Sequence, residues 1–529
     1  MSSVSMNPVS TNPDVLIIGA GPVGLTMAAE LHRYGFAVRI LDQDDAPTDK
    51  SKALVVWPRT LEHLARLGIA DNFAQHGLKG TQAKFFQRDK EIATVQLTDV
   101  ETPYPYALLV PQSETEGLLL QHLTSQGVIV ERDKTLTALT QTADTVTATI
   151  THKDGSAETV TTPWLIAADG AHSATRHLLN ATFEGETLSS DWVLADVRLE
   201  GPVATDTVAL HFHEKGIAAI FPVPPNRFRV IANTASDGNG ANKDAAAPAD
   251  PSLEDIQQIL DERTGLGLRA VDPVWLSAFH INERKVADFR HGRVFLAGDA
   301  AHIHSPAGGQ GMNTGMQDAF NLAWKLALVD PKAGHKGVAA NYVETLLSSY
   351  TAERGPVAED VLKGSGFLTR MGTVDNALLR GLRNFGLHSL LGFGKVQHVF
   401  AENVTELNVA YEHSPLNAEP ATSDGLRPGS RYPIREGDAP VSAGSQPLYT
   451  LFAAADNNAE QFIACFPGHL DPIARPPYKP GTITLVRPDG YVAFSGLPNE
   501  YPAADAYMNR IIWGLEPSGA TRRPLIANS

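Results

Sequence analysis

The stretch that most constrains the fold of this 529-residue chain is Asp14-Val15-Leu16-Ile17-Ile18, which runs straight into Gly19-Ala20-Gly21-Pro22-Val23-Gly24. A short apolar strand followed by G-x-G-x-x-G and a helix is the entry to a dinucleotide-binding βαβ unit. Gly19 permits the tight turn, Gly21 lets a pyrophosphate approach, and Gly24 allows helix and strand to pack closely. The predicted helix from Pro22 to Tyr34 places Val23, Met27 and Leu31 on one face and stops at Gly35. A second strand, Ala37 to Leu41, delivers Asp42 eighteen residues after Gly24, where an acid binds an adenosine ribose.

Two later segments extend this reading. Arg293 to Ala297 reads as a buried strand closed by Gly298, which sets Asp299 at a strand end within reach of sugar hydroxyls. Gly308, Gly309, Gly311 and Gly315 let the backbone approach a flat ligand. A helix beginning near Asn313 to Gly315 aims its free N–H groups at that ligand and favours negative charge there by about 0.3–1 kcal/mol. A Gly-rich connection ahead of an ordinary core helix is the plainer alternative. The third segment, Asp169-Gly170-Ala171-His172-Ser173-Ala174-Thr175-Arg176, follows the buried strand Trp164 to Ala168. Arg176 there can pair with a pyrophosphate or cap the local structure.

A net charge of −16 leaves no basic surplus to neutralise nucleic-acid phosphates or an anionic membrane. No apolar run approaches the roughly 20 residues of a membrane span. The first residues lack a signal-peptide pattern, and the one cysteine, Cys465, excludes an internal disulfide, a cysteine-based metal cluster and a dithiol centre. The expected compartment is the cytoplasm, with no metal.

The pattern predicts an α/β fold: a Rossmann-like nucleotide domain over residues 13–185, a β-rich domain at 186–280, completion of the first domain with helices at 281–412, and a linker and C-terminal domain at 413–529. Ser113-Glu114-Thr115-Glu116 reads as a capping box, Asp154-Gly155 as a hairpin turn, Ser252 as a helix start, and 236–250 as a flexible insert.

The strings GAGPVG at 19–24, DGAHSATR at 169–176, GDAAH at 298–302, PAGGQGMN at 306–313 and the following DAFNLAWKL together resemble the flavoprotein aromatic hydroxylases. These are single-component FAD monooxygenases that include para-hydroxybenzoate and phenol hydroxylases. The resemblance runs over most of residues 13–400, and LVRPDGYVAF at 485–494 resembles the thioredoxin-like C-terminal domain of the phenol-hydroxylase branch. It implies FAD, NADPH or NADH, dioxygen and an aromatic substrate, with hydroxylation through a flavin C4a-hydroperoxide. It also implies that Gly19, Gly21, Pro22 and Gly24 surround the pyrophosphate and that Asp42 binds the ribose. Gln112 would contact the flavin and Asp299 the ribityl or pyrophosphate portion. Pro306, Gly309, Gly311, Met312 and Asn313 would lie against the isoalloxazine. Asp169 and Arg176 belong to a motif tied to both FAD and the nicotinamide cofactor. Lys52 stands where the family often has Arg; it keeps the charge but loses the bidentate fork.

A phenol reacts better as phenolate, so a base would help. His211 and His213, on one face of a strand, are the candidates, with Arg229 as an anion contact. The competing reading makes both histidines solvent-facing sheet residues. Trp192, Phe221 and Tyr104 are candidate pocket aromatics. A flavin-dependent halogenase is disfavoured because W-x-W-x-I-P is absent and Trp57 stands alone in VVWPR. A non-catalytic flavin-binding protein, and a homodimer, stay open.

Overall fold

The computed structural model describes residues 12–48, 51–234, 249–332, 336–372, 394–419 and 425–515. Most of the insert expected at 236–250, and the tail before residue 12, lie outside the described residues.

Five of the six strands of the first sheet are parallel, in the order Val294–Leu296, Trp164–Ala167, Val15–Ile18, Val38–Leu41, Val130–Glu131, and the edge strand Arg290–His291 runs antiparallel. The central strands are apolar at every position because both faces are covered, as a parallel sheet requires. Helix α1 (Pro22–Arg33) packs against a long helix, Gly311–Val329, which starts a few residues before the expected Asn313 to Gly315. The β-rich unit is an eight-stranded sheet. It holds the expected strands at 207–213, 216–223 and 227–234, bounded by the long strands Glu184–Glu200 and Arg269–Lys285. It also recruits the hairpin Gln82–Gln87 and Lys90–Gln96, which pairs in parallel with Thr207–His213. Helix Leu253–Thr264 covers one face; Ser252 caps it reciprocally with Asp255, as expected.

The capping box at Ser113 does not form. Helix Gln112–Ser125 begins before it, and Glu116 bonds the Gln112 amide one turn earlier instead of a cap backbone. In the C-terminal part, strands Thr450–Phe452, Ile483–Val486 and Val492–Gly496 form an antiparallel sheet beside helices Asn457–Cys465 and Tyr501–Trp513. No helix among the described residues is long and apolar enough to cross a membrane.

Buried ion pairs join this C-terminal sheet to the nucleotide domain. Arg487 donates to both oxygens of Glu353 (2.6 and 2.9 Å) and to both of Asp489, while Lys325 reaches Glu353 at 2.7 Å. Arg431 and Arg59 share Glu62. All these carboxylates are fully buried, and Arg487 holds Glu353 well below the usual carboxylate range. Arg487→Met therefore leaves two buried carboxylates short of a cation. It should cost about 3–5 kcal/mol, read as a lowered midpoint of thermal or urea unfolding.

Candidate active site

The C-terminal ends of four parallel strands bring together Gly19–Gly24, Asp42, Asp169 and Gly298–Asp299, where ligands bind in open α/β sheets. The three glycines of the first turn differ in what surrounds them. A Cβ on Gly19, whose φ is +98°, would stand 2.2 Å from the Ala168 carbonyl oxygen, and one on Gly24 would stand 2.0 Å from that of Gly19. A Cβ on Gly21 would meet nothing within 4 Å. Gly19 and Gly24 are therefore required by the protein's own packing, whereas the space over Gly21 is open and fits a pyrophosphate. Asp42 is half-buried, and its Oδ2 accepts from the Ala20 N–H at 2.6 Å, tying the second strand end to the turn.

Across the sheet edge, solvent reaches Asp299 although protein encloses it, as befits a group lining an internal cleft. Burial raises its pKa, opposed by His302, Lys52 and Arg176. The exposed Lys52 thus faces the same cleft. Gln112 joins this wall: its Oε1 accepts from the Ala53 N–H at 3.2 Å, and its backbone N–H donates to Ser51 Oγ.

The turn at 306–313 is pinned from behind. Asn313 is fully buried; its Oδ1 accepts from the Trp57 N–H at 2.8 Å, and its Nδ2 donates to the Val55 and Gly309 carbonyls. Trp57 Nε1 donates to the Gly308 carbonyl. Gly308 and Gly309 both have positive φ. Pro306 is exposed and Met312 half-buried, so both remain available at the rim. Gly311 packs against His304, whose Nε2 is buried without a partner among the described residues. Gly315 differs from the expectation: a Cβ there would strike Val23 and Gly298, so it serves helix packing and not ligand approach.

Two other expected contacts are committed to structure. The Asp169 carboxylate accepts from Ser173 Oγ and from the N–H and hydroxyl of Thr175, capping a short helix at Ala174–Leu178. Arg176 is buried and donates to the Ala300 and Ala171 carbonyls, lying over Phe183. It clamps the 169–176 loop to the 298–300 turn, the capping role the sequence left open.

The eight-stranded sheet presents one face to the 52–57 segment. Cross-strand register puts Phe221, Arg229, Asp196 and Trp275 in one row, with Leu210, Ala219, Ile231, Leu194 and Ser277 in the next. His211 pairs with Ala218, and His213 with Gly216, so both histidines point to the opposite face, under the 253–264 helix. His211 bonds the Arg88 carbonyl and stacks on Phe86. Burial lowers both imidazole pKa values, so neither is charged at neutral pH. Alternation shows that the two share a face; it does not show which face meets the pocket. Arg229 is on the pocket side but fully buried, forked onto Asp196 (2.8 Å twice) and donating to the Lys52 and Ala53 carbonyls. Trp192 and Phe221 belong to the apolar cluster of this face with Leu54, Val55 and Trp57, whereas Tyr104 packs against the nucleotide-domain core.

Asp318 and Arg354 were not visible as site residues. Asp318 accepts from the Gly298 N–H and His302 Nε2 at 2.9 Å each and from Arg354 Nε at 2.6 Å, and Arg354 reaches the Thr314 carbonyl. The aspartate of DAFNLAWKL was the available signal, since a charge inside an otherwise buried helix needs a partner.

The profile of the family described as FAD binding domain matches residues 12–365, and the chain belongs to that family. It is 33% identical over 531 residues to the 6-methylpretetramide 4-monooxygenase of Streptomyces rimosus, covering 93% of this chain and 92% of that one. It is 34% identical to the rifampicin monooxygenase of Rhodococcus hoagii, over 75% of this chain and 79% of that one. Among solved structures, the OxyS anhydrotetracycline hydroxylase from Streptomyces rimosus superposes with a TM-score of 0.75 at 29% identity, covering 95% of this chain and 99% of that one. The chain is accordingly an FAD-dependent aromatic monooxygenase, with NAD(P)H as the usual reductant of such enzymes.

Gly21→Ala should fold normally yet lower FAD affinity at least about tenfold, roughly 1.4 kcal/mol. Gly24→Ala should instead lower the unfolding midpoint. Flavin retention on a desalting column and a thermal melt separate the two.

Proposed function

We propose that this monooxygenase hydroxylates a fused-ring aromatic polyphenol held between the 306–313 turn and the facing side of the eight-stranded sheet. The observation that carries this reading is the breadth of the apolar face. Leu210, Phe221, Ile231 and Phe279 stay half-exposed on one side of five adjacent strands. Four inter-strand spacings make that face roughly 19 Å wide. A single phenol ring would leave most of it wet, whereas a fused-ring substrate would cover it. The names of relatives agree, since one is a 6-methylpretetramide 4-monooxygenase and another a 12-dehydrotetracycline 5-monooxygenase/anhydrotetracycline 6-monooxygenase.

Bound there, FAD would supply the redox chemistry, in which NAD(P)H and O2 are consumed, one oxygen atom enters the substrate ring and the other leaves as water. The chain's own residues hold and shield it. The turn Gly19–Gly24 cradles the pyrophosphate, with Gly21 on its open side and Gly19, Pro22 and Gly24 packed behind it, and Asp42 binds the ribose. Lys52, Gln112 and Asp299 line the ribityl region, while Pro306, Gly309, Gly311 and Met312 form the wall against the ring system, held from behind by the buried Asn313. The N-terminus of helix 311–329 favours the negative charge that reduction creates. Arg229 acts as a positioning residue: through the Lys52 and Ala53 carbonyls it fixes the distance between the sheet and the cofactor wall. His211 and His213 have no role in proton transfer. The domain limits at 185, 280 and 412 follow the same reading, with residues 82–96 added to the substrate sheet. The C-terminal unit, thioredoxin-like by its motif and without C-x-x-C, serves packing.

The purified protein should be yellow, and NAD(P)H oxidation should be stimulated by fused-ring polyphenols with kcat/KM at least about tenfold above monocyclic phenols, or about 1.4 kcal/mol. Formation of hydroxylated product against hydrogen peroxide release reports true turnover. Preference for a one-ring phenol would overturn the substrate assignment. His213→Ala and His211→Phe should keep kcat within about twofold; a large fall with a shifted pH profile would restore them as bases.

A further inference from the structure

Glu406 lies just past the helix Gly394–Val404 and is buried, with a left-handed backbone at φ 61°. That conformation is unusual for a residue with a side chain, and the carboxyl is turned into the protein. Its Oε1 accepts from Thr314 Oγ1 at 3.3 Å and its Oε2 from Gln317 Nε2. Both partners sit in the first two turns of helix 311–329, directly behind the turn assigned to the isoalloxazine. Gln317 Nε2 also reaches Thr60 Oγ1.

Two cations face Glu406, Arg59 from helix Pro58–Arg66 and Arg354 from helix Ala340–Gly372, and neither donates a hydrogen bond to it. Arg59 bonds Glu62 and the Asp489 carbonyl; Arg354 bonds Asp318, the Tyr411 hydroxyl and the Thr314 carbonyl. Among the described residues, the hydrogen bonds to this buried carboxyl therefore come from a neutral amide and a neutral hydroxyl. Burial lifts its pKa to about 8, with Arg354, Gln317, Thr314 and Arg59 opposing.

We propose that Glu406 is the proton-holding residue behind this helix start and that its charge state sets how readily the bound flavin accepts electrons. The inference rests on the flavin reading above. Hydride transfer from NAD(P)H moves two electrons and one proton to the ring and leaves NAD(P)+, so the reduced ring carries negative charge at the positive end of the helix. A neutral Glu406 leaves that end unopposed, whereas an ionised one puts a like charge beside the same turn. The sign follows. Below about pH 8 Glu406 is protonated whether the ring is oxidised or reduced. Above it, the oxidised protein holds the carboxylate, and reduction draws a second proton from solvent onto Glu406.

The test is a spectroelectrochemical titration of the FAD-loaded full chain at a series of pH values on both sides of about 8. For the wild type, the slope of potential against pH should steepen about twofold above that pH, as proton uptake per electron pair rises from one to two. Glu406→Gln keeps the shape and both partners but cannot ionise. Its plot should stay straight, coincide with the wild type at low pH and lie at less negative potential above about pH 8. A straight wild-type plot, or a Gln variant that bends like the wild type, overturns the proposal. If the variant does not retain FAD, the wild-type curve alone decides. A protein that is yellow but shows no bend leaves the monooxygenase reading standing, whereas one that never binds FAD overturns that reading instead.

Discussion

The buried carboxylate of Asp318 is the interaction on which the site depends. It accepts from the Gly298 N–H, His302 and Arg354, so the turn carrying Asp299, the strand after it and the helix Ala340–Gly372 meet at one fully buried group. Burial alone would drive a carboxylate neutral; the Arg354 guanidinium and His302 hold it below its usual range. Glu353, the next residue along from Arg354, repeats the arrangement with Lys325 and Arg487. One helix thus carries an acid and a base side by side, the base fastening the cofactor turn and the acid fastening the C-terminal sheet. Such pairs add little net stability over apolar packing, since desolvation offsets their attraction. They do make the wrong arrangement expensive, because any slip leaves a charge buried without its partner. A cofactor turn built from glycines, which hold no conformation by themselves, needs that kind of anchor.

The parts legible in the sequence were those with a local cause. Gly19, Gly21 and Gly24 follow strand Val15–Ile18 at fixed offsets, and Asp42 ends the next strand, so spacing alone placed them. The strands of the second sheet showed their alternation, and Ser252 announced its helix. What failed depended on distant chain. Asp318 and Arg354 are 36 residues apart, and Arg487 and Glu353 are 134 apart; no periodicity links them. The same limit explains the hairpin at 82–96, which joins a sheet whose other strands begin a hundred residues later. Ser113 is a different case, where a local signature lost to a helix that begins one residue earlier.

His211 and His213 show a subtler limit. Period-two alternation fixes that they share a side and that Leu210 and Phe212 share the other, but the meaning of each side comes from what packs on it. Helix Leu253–Thr264 covers the histidine side, and the partly exposed apolar residues on the other side are the ones proposed as the substrate wall. A strand read alone favours the titratable residues as catalytic; the packed sheet favours the apolar ones as functional.

The same reasoning bears on how the chain divides its work. Several of the segments proposed to line the FAD site are held by a side chain from elsewhere in the chain. Asn313 holds Val55 and Trp57, Arg229 holds Lys52 and Ala53, Gln112 holds Ala53, and Asp318 holds Gly298. In all four cases the anchoring residue bonds to backbone groups of the segment it holds. The wall proposed for the cofactor is therefore held through backbone bonds, which do not engage the Lys52 side chain. Substitutions on the substrate sheet can then reshape the pocket, provided Arg229 and Asp196 remain to fix the spacing between that sheet and the wall.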